Sequence, residues 1–193
     1  PILFSVFFES IMLTNLIKSA QSQAKHYLNP FNNAKLLTKI FNLYPPYLGA
    51  GIRVETMDFA NQHVRVSMPL TKLNQNIVGT QFGGSLYSMT DPFVMTLLMQ
   101  KLGNDYVVWD KSACIDFIKA GKNQVYFAFT LTDDEVTTIK DLAQDGKAVF
   151  RDYELDIKDE QGEVVAIVKK KVYIRLRDFS KSKHQSSRIW ASL

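Results

Sequence analysis

From His63 to Leu70 the chain alternates: Val64, Val66, Met68 and Leu70 fall on one side, His63, Arg65, Ser67 and Pro69 on the other. A period of two is the signature of a strand with one buried face. The same texture returns in Tyr106 to Lys119, Val125 to Thr132, Lys147 to Lys158 and Val164 to Arg177. Turn residues separate these stretches, at Ala120-Gly121-Lys122-Asn123, Gln144-Asp145-Gly146 and Asp159-Glu160-Gln161-Gly162, so each is predicted as a strand. In the last of them Val164, Ala166, Val168, Val172, Ile174 and Leu176 share a face that Lys170 interrupts, and the opposite face carries Lys169, Lys171, Arg175 and Arg177.

Between the early and late strands lies a loop rich in Asn, Gln and Gly (TKLNQNIVGTQFGG) and then an apolar stretch from Ser85 to Leu102. Its length suits one buried helix, and nothing else in this region is expected to be long and helical. The predicted order is two strands, one central helix and a meander of four strands. That is an α+β layer, an antiparallel sheet wrapped on one long helix.

Upstream, Leu36, Leu37, Ile40, Phe41 and Leu43 make a helical stripe over Lys35 to Tyr47 that Pro45-Pro46 ends. This extra amphipathic helix is expected to cover a hydrophobic face, or else to act as a lid. Residues 2–17 are the most apolar run. Glu9, Ser10 and Asn15 interrupt it, it falls short of the ~20 residues of a membrane span, and it lacks the basic start of a secretory leader. It reads as neither, and the residues before Met12 need not belong to the native chain. The expected organisation is an extension over residues 1–34, a domain over 35–177 and a flexible tail over 178–193.

Composition changes this picture little. With 46% hydrophobic residues and 22% charged, a chain of this size builds one core, and disorder, collagen and coiled coil are excluded. A lone cysteine, Cys114, forms no intrachain disulfide and, in an alternating strand, is expected to be a small core residue. The histidines His26, His63 and His184 are scattered, so no metal is expected and no cofactor is called for. With no disulfide and no leader the protein is expected in the cytoplasm. The net charge of +4 arises at the two ends: residues 1–48 carry +3 and residues 178–193 carry +2, while residues 49–177 carry −1. A neutral domain argues against a nucleic-acid footprint, and a membrane partner is not expected either.

Candidate chemistry sits around the predicted helix. Gly83 and Gly84 lie where the loop becomes helix, so their amides are among the orphan donors of an N-terminus, and the missing Cβ atoms let a carbonyl oxygen approach. Such a terminus favours the negative charge that a thioester carbonyl develops on attack. Gly84, Ser88 and Asp91 follow at i, i+4 and i+7, and Asp91 is the only carboxylate between Asp58 and Asp105. An ionisable group in an apolar helix needs a partner, water or a function. Asp91 therefore reads either as a catalytic carboxylate or as the N-cap of a second helical segment starting at Pro92. His63 has no Ser or Cys partner pattern, Asp133-Asp134-Glu135 reads as an exposed acidic turn, and Lys119 and Lys122 read as solvated lysines that would otherwise meet phosphates.

The segment NIVGTQFGGSLYSMTD resembles the hotdog-fold acyl-CoA thioesterases, in particular those of the phenylacetate pathway. Those enzymes carry an Asn, a Gly, a His-Gly-Gly and an Asp nine residues after the His; here Asn76, Gly79, Phe82-Gly83-Gly84 and Asp91 keep the spacing. VVWDKSACIDFIKAG and the ending VAIVKKKVYIRLR look closer still to the thioesterase-like hotdog family of unknown function. The similarity spans about residues 36–177. It implies hydrolysis of an acyl-CoA or acyl-carrier thioester, with Asp91 as base or nucleophile and the Gly83 and Gly84 amides as oxyanion donors. Asn76, Gln81, Phe82 and Ser88 would line the substrate site, while Asn74 and Gln81, from residue type alone, read first as turn-stabilising amides. It further implies a homodimer or dimer of dimers. Phe82 departs from the pattern, because a phenyl ring has no polar atom where the family has a hydrogen-bond donor. That departure keeps two other readings in play: an acyl-thioester-binding module without hydrolysis, and a hydratase or dehydratase, which the absence of a nearby His disfavours.

Overall fold

The structure, a computed structural model, describes residues 33–180. Its elements are α1 (Ala34–Leu43), α2 (Pro45–Ala50), β1 (Arg53–Asp58), β2 (His63–Met68), α3 (Gly83–Ser88), α4 (Phe93–Leu102), β3 (Tyr106–Phe117), β4 (Val125–Thr130), α5 (Asp133–Ala143), β5 (Val149–Asp159) and β6 (Val164–Leu176). The six strands form one antiparallel sheet in the order β1-β2-β4-β5-β6-β3. The late strands are therefore no simple meander. β3 lies at an edge beside β6, and β4 crosses to pair with β2.

The sheet wraps its apolar face onto the central helical segment. Val64, Val66 and Met68 of β2, Phe127 of β4 and Val168, Val172 and Ile174 of β6 are buried with Leu86, Met89, Phe93, Leu97 and Leu98. Each such side chain contributes about 1.5–3 kcal/mol by leaving water. The alternation read in β2 and β6 thus marks the core, with Lys170 buried in the middle of it.

The segment expected to be one long helix is two. α3 ends at Ser88, Met89 to Pro92 form a turn, and α4 begins at Phe93. Proline lacks an N–H and disfavours α-helical backbone in the residue before it, and the Asp91–Pro92 peptide is cis. Asp91 lies in that turn, past the end of α3, with its N–H donating to Ser88 O at 3.1 Å.

A second departure is α5, where an exposed acidic turn was expected. Thr132 accepts a hydrogen bond from Glu135 N at its N-terminus, and Val136, Ile139 and Ala143 are buried along it. Thr132 and Glu135 have the spacing of a capping box, and this is the sequence signal that marks the helix. Its acidic first turn is put to use. Asp133 accepts from Gln62 Nε2 and pairs with Lys101, and Glu135 holds Arg151 and the Tyr153 hydroxyl.

The third concerns β3. Its register against β6 slips between Asp110 and Ser112, so Asp110 faces Val172 while Ser112 already faces Lys171. The extra residue, Lys111, reverses which side chains point inward. Without it Cys114 would share the inward side of Val108; with it Cys114 lies opposite Lys169 and is exposed, not core.

The amphipathic helix α1 is present, with Asn33 capping Leu36 N. Its stripe is only partly used: Leu37 is buried and Phe41 packs edge-on to Phe93, but Ile40 and Leu43 are exposed. Pro45-Pro46 both ends α1 and starts α2, Pro being suited to a first turn. Residues 1–32 and 181–193, including the apolar run and most of the tail, lie outside the described residues. Within the described part of that tail, Phe179 lies against Gly146.

Candidate active site

The loop before α3 is stitched by its own amides. Asn76 donates to Thr80 Oγ1 (2.8 Å) and Gln81 O (3.2 Å) and accepts from Val78 N and Thr80 N, so both donors and the carbonyl are engaged within the loop. Asn74 spans Ala50 O and Pro69 O and accepts from Thr71. Gln81 is buried, donating to Met68 O and Asn123 O, with Gly121 close against its side chain. Ser88 donates back to Gly84 O at 2.9 Å. Asn74, Asn76 and Gln81 thus fix the ground on which α3 starts, while the Ser88 bond lies within the helix itself.

Phe82 is the N-cap residue of α3 and has no side-chain cap bond. The first intrahelical donors are Ser85 N and Leu86 N, both to Phe82 O, and the amides of Gly83 and Gly84 precede them. Two half-exposed rings flank those glycines. A Cβ on Gly83 would stand 2.8 Å from the Phe117 ring, and one on Gly84 2.7 Å from the ring of Phe82. The open groove beside them, about 430 Å³, is lined by residues including Thr80, Gln81, Gly83, Leu86, Phe117 and Lys119.

Asp91 lies past the far end of α3, about 9 Å of helix away at 1.5 Å per residue. Its carboxylate does not cap α4, whose N-cap residue Pro92 has no side-chain bond. Instead Asp91 Oδ1 accepts from Lys170 Nζ at 2.6 Å, and Lys170 Nζ also donates to Asp110 Oδ2 at 2.5 Å. The lysine side chain is 0% exposed, Asp110 20% and Asp91 44%. The ring of Tyr87 stands 5.8 Å from the ammonium, and the buried Tyr47 hydroxyl donates to the Asp91 backbone carbonyl.

The electrostatics follow from burial. The Asp110 carboxyl is pushed above the usual range, first by loss of water, with Lys170 opposing and Asp91 adding to the rise. Burial lowers the proton affinity of Lys170, yet the two carboxylates more than offset it, so the ammonium holds its proton more tightly than a free lysine. Burial pushes the Tyr47 hydroxyl far up as well, keeping it a neutral donor. Sequence reasoning singled out Asp91 but not its partners. The signal for one was present, since Lys170 interrupts an otherwise apolar strand face.

The remaining candidates have local partners. His63 Nδ1 lies 2.8 Å from Thr130 Oγ1. Lys119 bridges Asp159 and Glu163 and is not free. Among the described residues no three His, Cys, Asp or Glu side chains group as a metal would need, and no helix is long and apolar enough to cross a membrane.

A family model described as a domain of unknown function, DUF4442, matches residues 33–174. Among solved structures, the chain is similar to a Pseudomonas aeruginosa protein of unknown function, PA5026, described as a probable thioesterase. The identity is 20% and the TM-score 0.64, over 74% of this chain and 95% of that one. It is similar also to a Chlorobaculum tepidum protein of unknown function, OLEI01261, at 17% identity and TM-score 0.60, over 78% of this chain and 98% of that one. A third is the thioesterase HI1161 of Haemophilus influenzae, at 11% and 0.55, over 75% and 91%. No curated protein matches the sequence. The shared architecture is the hotdog fold, as the resemblance implied.

Proposed function

The chain belongs to the DUF4442 family, and we propose that it hydrolyses an acyl thioester, acyl-CoA or an acyl-carrier conjugate, with Asp91 as the residue that acts on water or attacks the carbonyl. The carrying observation is that Asp91, the sole carboxylate of a long apolar segment, stays half-exposed while gripped by a wholly buried ammonium. A carboxylate so held is fixed in direction and reachable by water, the two needs of a general base.

The Gly83 and Gly84 amides are the proposed oxyanion donors; one donor at such a site is worth about 2.7–4 kcal/mol. Within a single copy they sit at the opposite end of α3 from Asp91, so a homodimer is part of the proposal: a second copy brings its α3 start to Asp91. The long β3 edge supports it, because from Lys111 to Phe117 it is largely exposed and its outer side is unpaired among the described residues. Such an edge is a template for another strand. Phe82, Phe117 and Ile118, all more than half exposed, would then be covered.

An assay reading free thiol from acyl-CoAs of several chain lengths tests the reading. Parent protein is expected to release thiol and Asp91→Asn to lose roughly 10²-fold in turnover, with light scattering giving at least two chains for both. A parent that releases no thiol overturns it. One observation favours a second reading, acyl-thioester binding without hydrolysis: the ring of Phe82, 54% exposed at the N-cap, offers no donor. Phe82→His separates the two. Hydrolysis predicts a faster enzyme, by up to ~100-fold if a side-chain donor is restored; binding alone predicts weaker affinity and no turnover.

A further inference from the structure

Lys170 has so far entered only as the grip on Asp91, yet it is the most enclosed charge among the described residues and holds a second carboxylate as well. A lysine with a fully buried side chain is costly, and one carboxylate would neutralise it. Here there are two, on different elements, so the cluster carries one negative charge in excess when all three groups are ionised. Asp110 Oδ1 is buried with no hydrogen-bond partner, an arrangement that a purely structural ion pair would not need.

We propose that Lys170 and Asp110 are positioning residues for Asp91: the buried ammonium clamps Asp91 Oδ1 from behind, Asp110 anchors the ammonium from β3, and the clamped carboxylate presents its exposed side to the substrate. This rests on the hydrolytic reading above and deepens it. The lysine reaches both carboxylates because β6 places it opposite Ala113 while the register slip in β3 leaves Asp110 inward one residue before the reversal. The two carboxyls divide the work by exposure. Asp91 is open to water and Asp110 is enclosed, so a proton bound by the cluster settles on Asp110, where an ionised oxygen without a partner is least tolerable. The other groups facing the cluster are neutral or already engaged: Tyr87 by its ring, Tyr47 through the Asp91 carbonyl, and Tyr153, opposite Lys170 on β5, whose hydroxyl donates to Glu135.

Two measurements test this on the full chain. Carbon-13 carboxyl shifts of labelled aspartate, followed against pH in the parent and in Asp91→Asn, read the coupling without any need for activity. Asp110 is expected to titrate above the ordinary aspartate range in the parent and to fall by about one pH unit or more in the variant, where Lys170 serves it alone. The same midpoint in both proteins overturns the proposal. Asp110→Asn then reads the consequence: kcat falls about tenfold while KM stays within twofold, because the ammonium loses its anchor on β3 and the carboxylate it clamps loses its fixed direction. An unchanged kcat overturns it, whatever happens to Tm. If Asp110→Asn fails to fold, Asp110→Glu, with a displaced carboxyl, is expected to lower kcat without changing KM, and wild-type kcat there overturns the proposal. A parent that hydrolyses no thioester removes the catalytic reading alone, since the Asp110 titration still decides whether the three groups act as one.

Discussion

Two lysines, one within the sheet and one just past the end of β3, each bridge two carboxylates, and they differ in how far water reaches them. Lys170 joins Asp91 and Asp110 with its side chain 0% exposed, whereas Lys119, at the end of β3, joins Asp159 and Glu163 with 36% of its side chain in water. Both ammonium groups are held above the ordinary lysine range by their carboxylates. A count of ion pairs would rank them equal. Around Lys119 water screens the attraction, and neither partner is stranded without it: Glu163 is 71% exposed, and Asp159, though only 13% exposed, accepts from Gln161 N and Glu163 N, so little is gained by making the bridge and little lost by breaking it. Around Lys170 nothing replaces a missing partner, so the cluster holds together tightly and constrains every group in it.

The largest expected effect follows directly. Lys170→Met leaves the enclosed Asp110 beside Asp91 with no cation and is expected to cost about 3–5 kcal/mol, the usual loss when one member of a buried ion pair is removed. Chemical denaturation reads it as a lower midpoint with an unchanged m-value. Lys119→Met is expected to leave the midpoint within error. Equal losses for the two would break the comparison and mean that Lys119 is less well solvated than its exposure indicates. Combining Lys170→Met with Asp110→Leu restores apolar packing in place of charge and is expected to recover much of the loss.

The same contrast explains what could be read from the sequence. Period-two alternation located β2, β4, β5 and β6 to within two residues at either end because each has one buried face, and the Gly and Asn turns bounded them. Asp91 stood out as the only carboxylate in an apolar stretch. What escaped was whatever depended on a single local event or on distant parts of the chain. Pro92 divides the helix, Lys111 reverses the faces of β3 and exposes Cys114, and Thr132 caps α5 where the acidic run taken alone suggests a turn. Lys170 was visible as an interruption, but its meaning requires Asp91 and Asp110 beside it, and these lie 79 and 60 residues away along the chain. Periodicity reports which face is wet and cannot pair a buried charge with a partner on another element.

A smaller effect lies at alkaline pH. Because Lys170 binds its proton more tightly in the folded state, its contribution is complete below the unfolded lysine value of about 10.4 and is lost as pH rises toward and through the higher folded value. Thermal midpoints of the parent are therefore expected to decline above about pH 10. Lys170→Met should decline less steeply, though not be flat, since the raised Tyr47 and Tyr153 hydroxyls and other paired lysines contribute in the same sense. Identical slopes in the two proteins would show that Lys170 is not preferentially charged in the fold.

The smallest effect separates the clusters by sign instead of size. Asp159, beside Lys119, is held below the ordinary aspartate range, chiefly by its hydrogen bond from that lysine. Its stabilising influence is present above the unfolded value near 3.9 and is lost as pH falls through the lower folded value. Asp110 is held above that range by burial, so the folded state binds its proton more readily and gains stability relative to the unfolded chain as pH falls toward about 4. Taking the difference in thermal midpoint between variant and parent at pH 7 and again near pH 3, Asp159→Asn is expected to improve relative to the parent on acidification and Asp110→Asn to worsen. The general acid response of the other carboxylates cancels in each difference, which leaves the sign to be read. Two differences moving in the same direction would mean that burial does not govern Asp110, and the contrast between the two lysine bridges would reduce to a matter of degree.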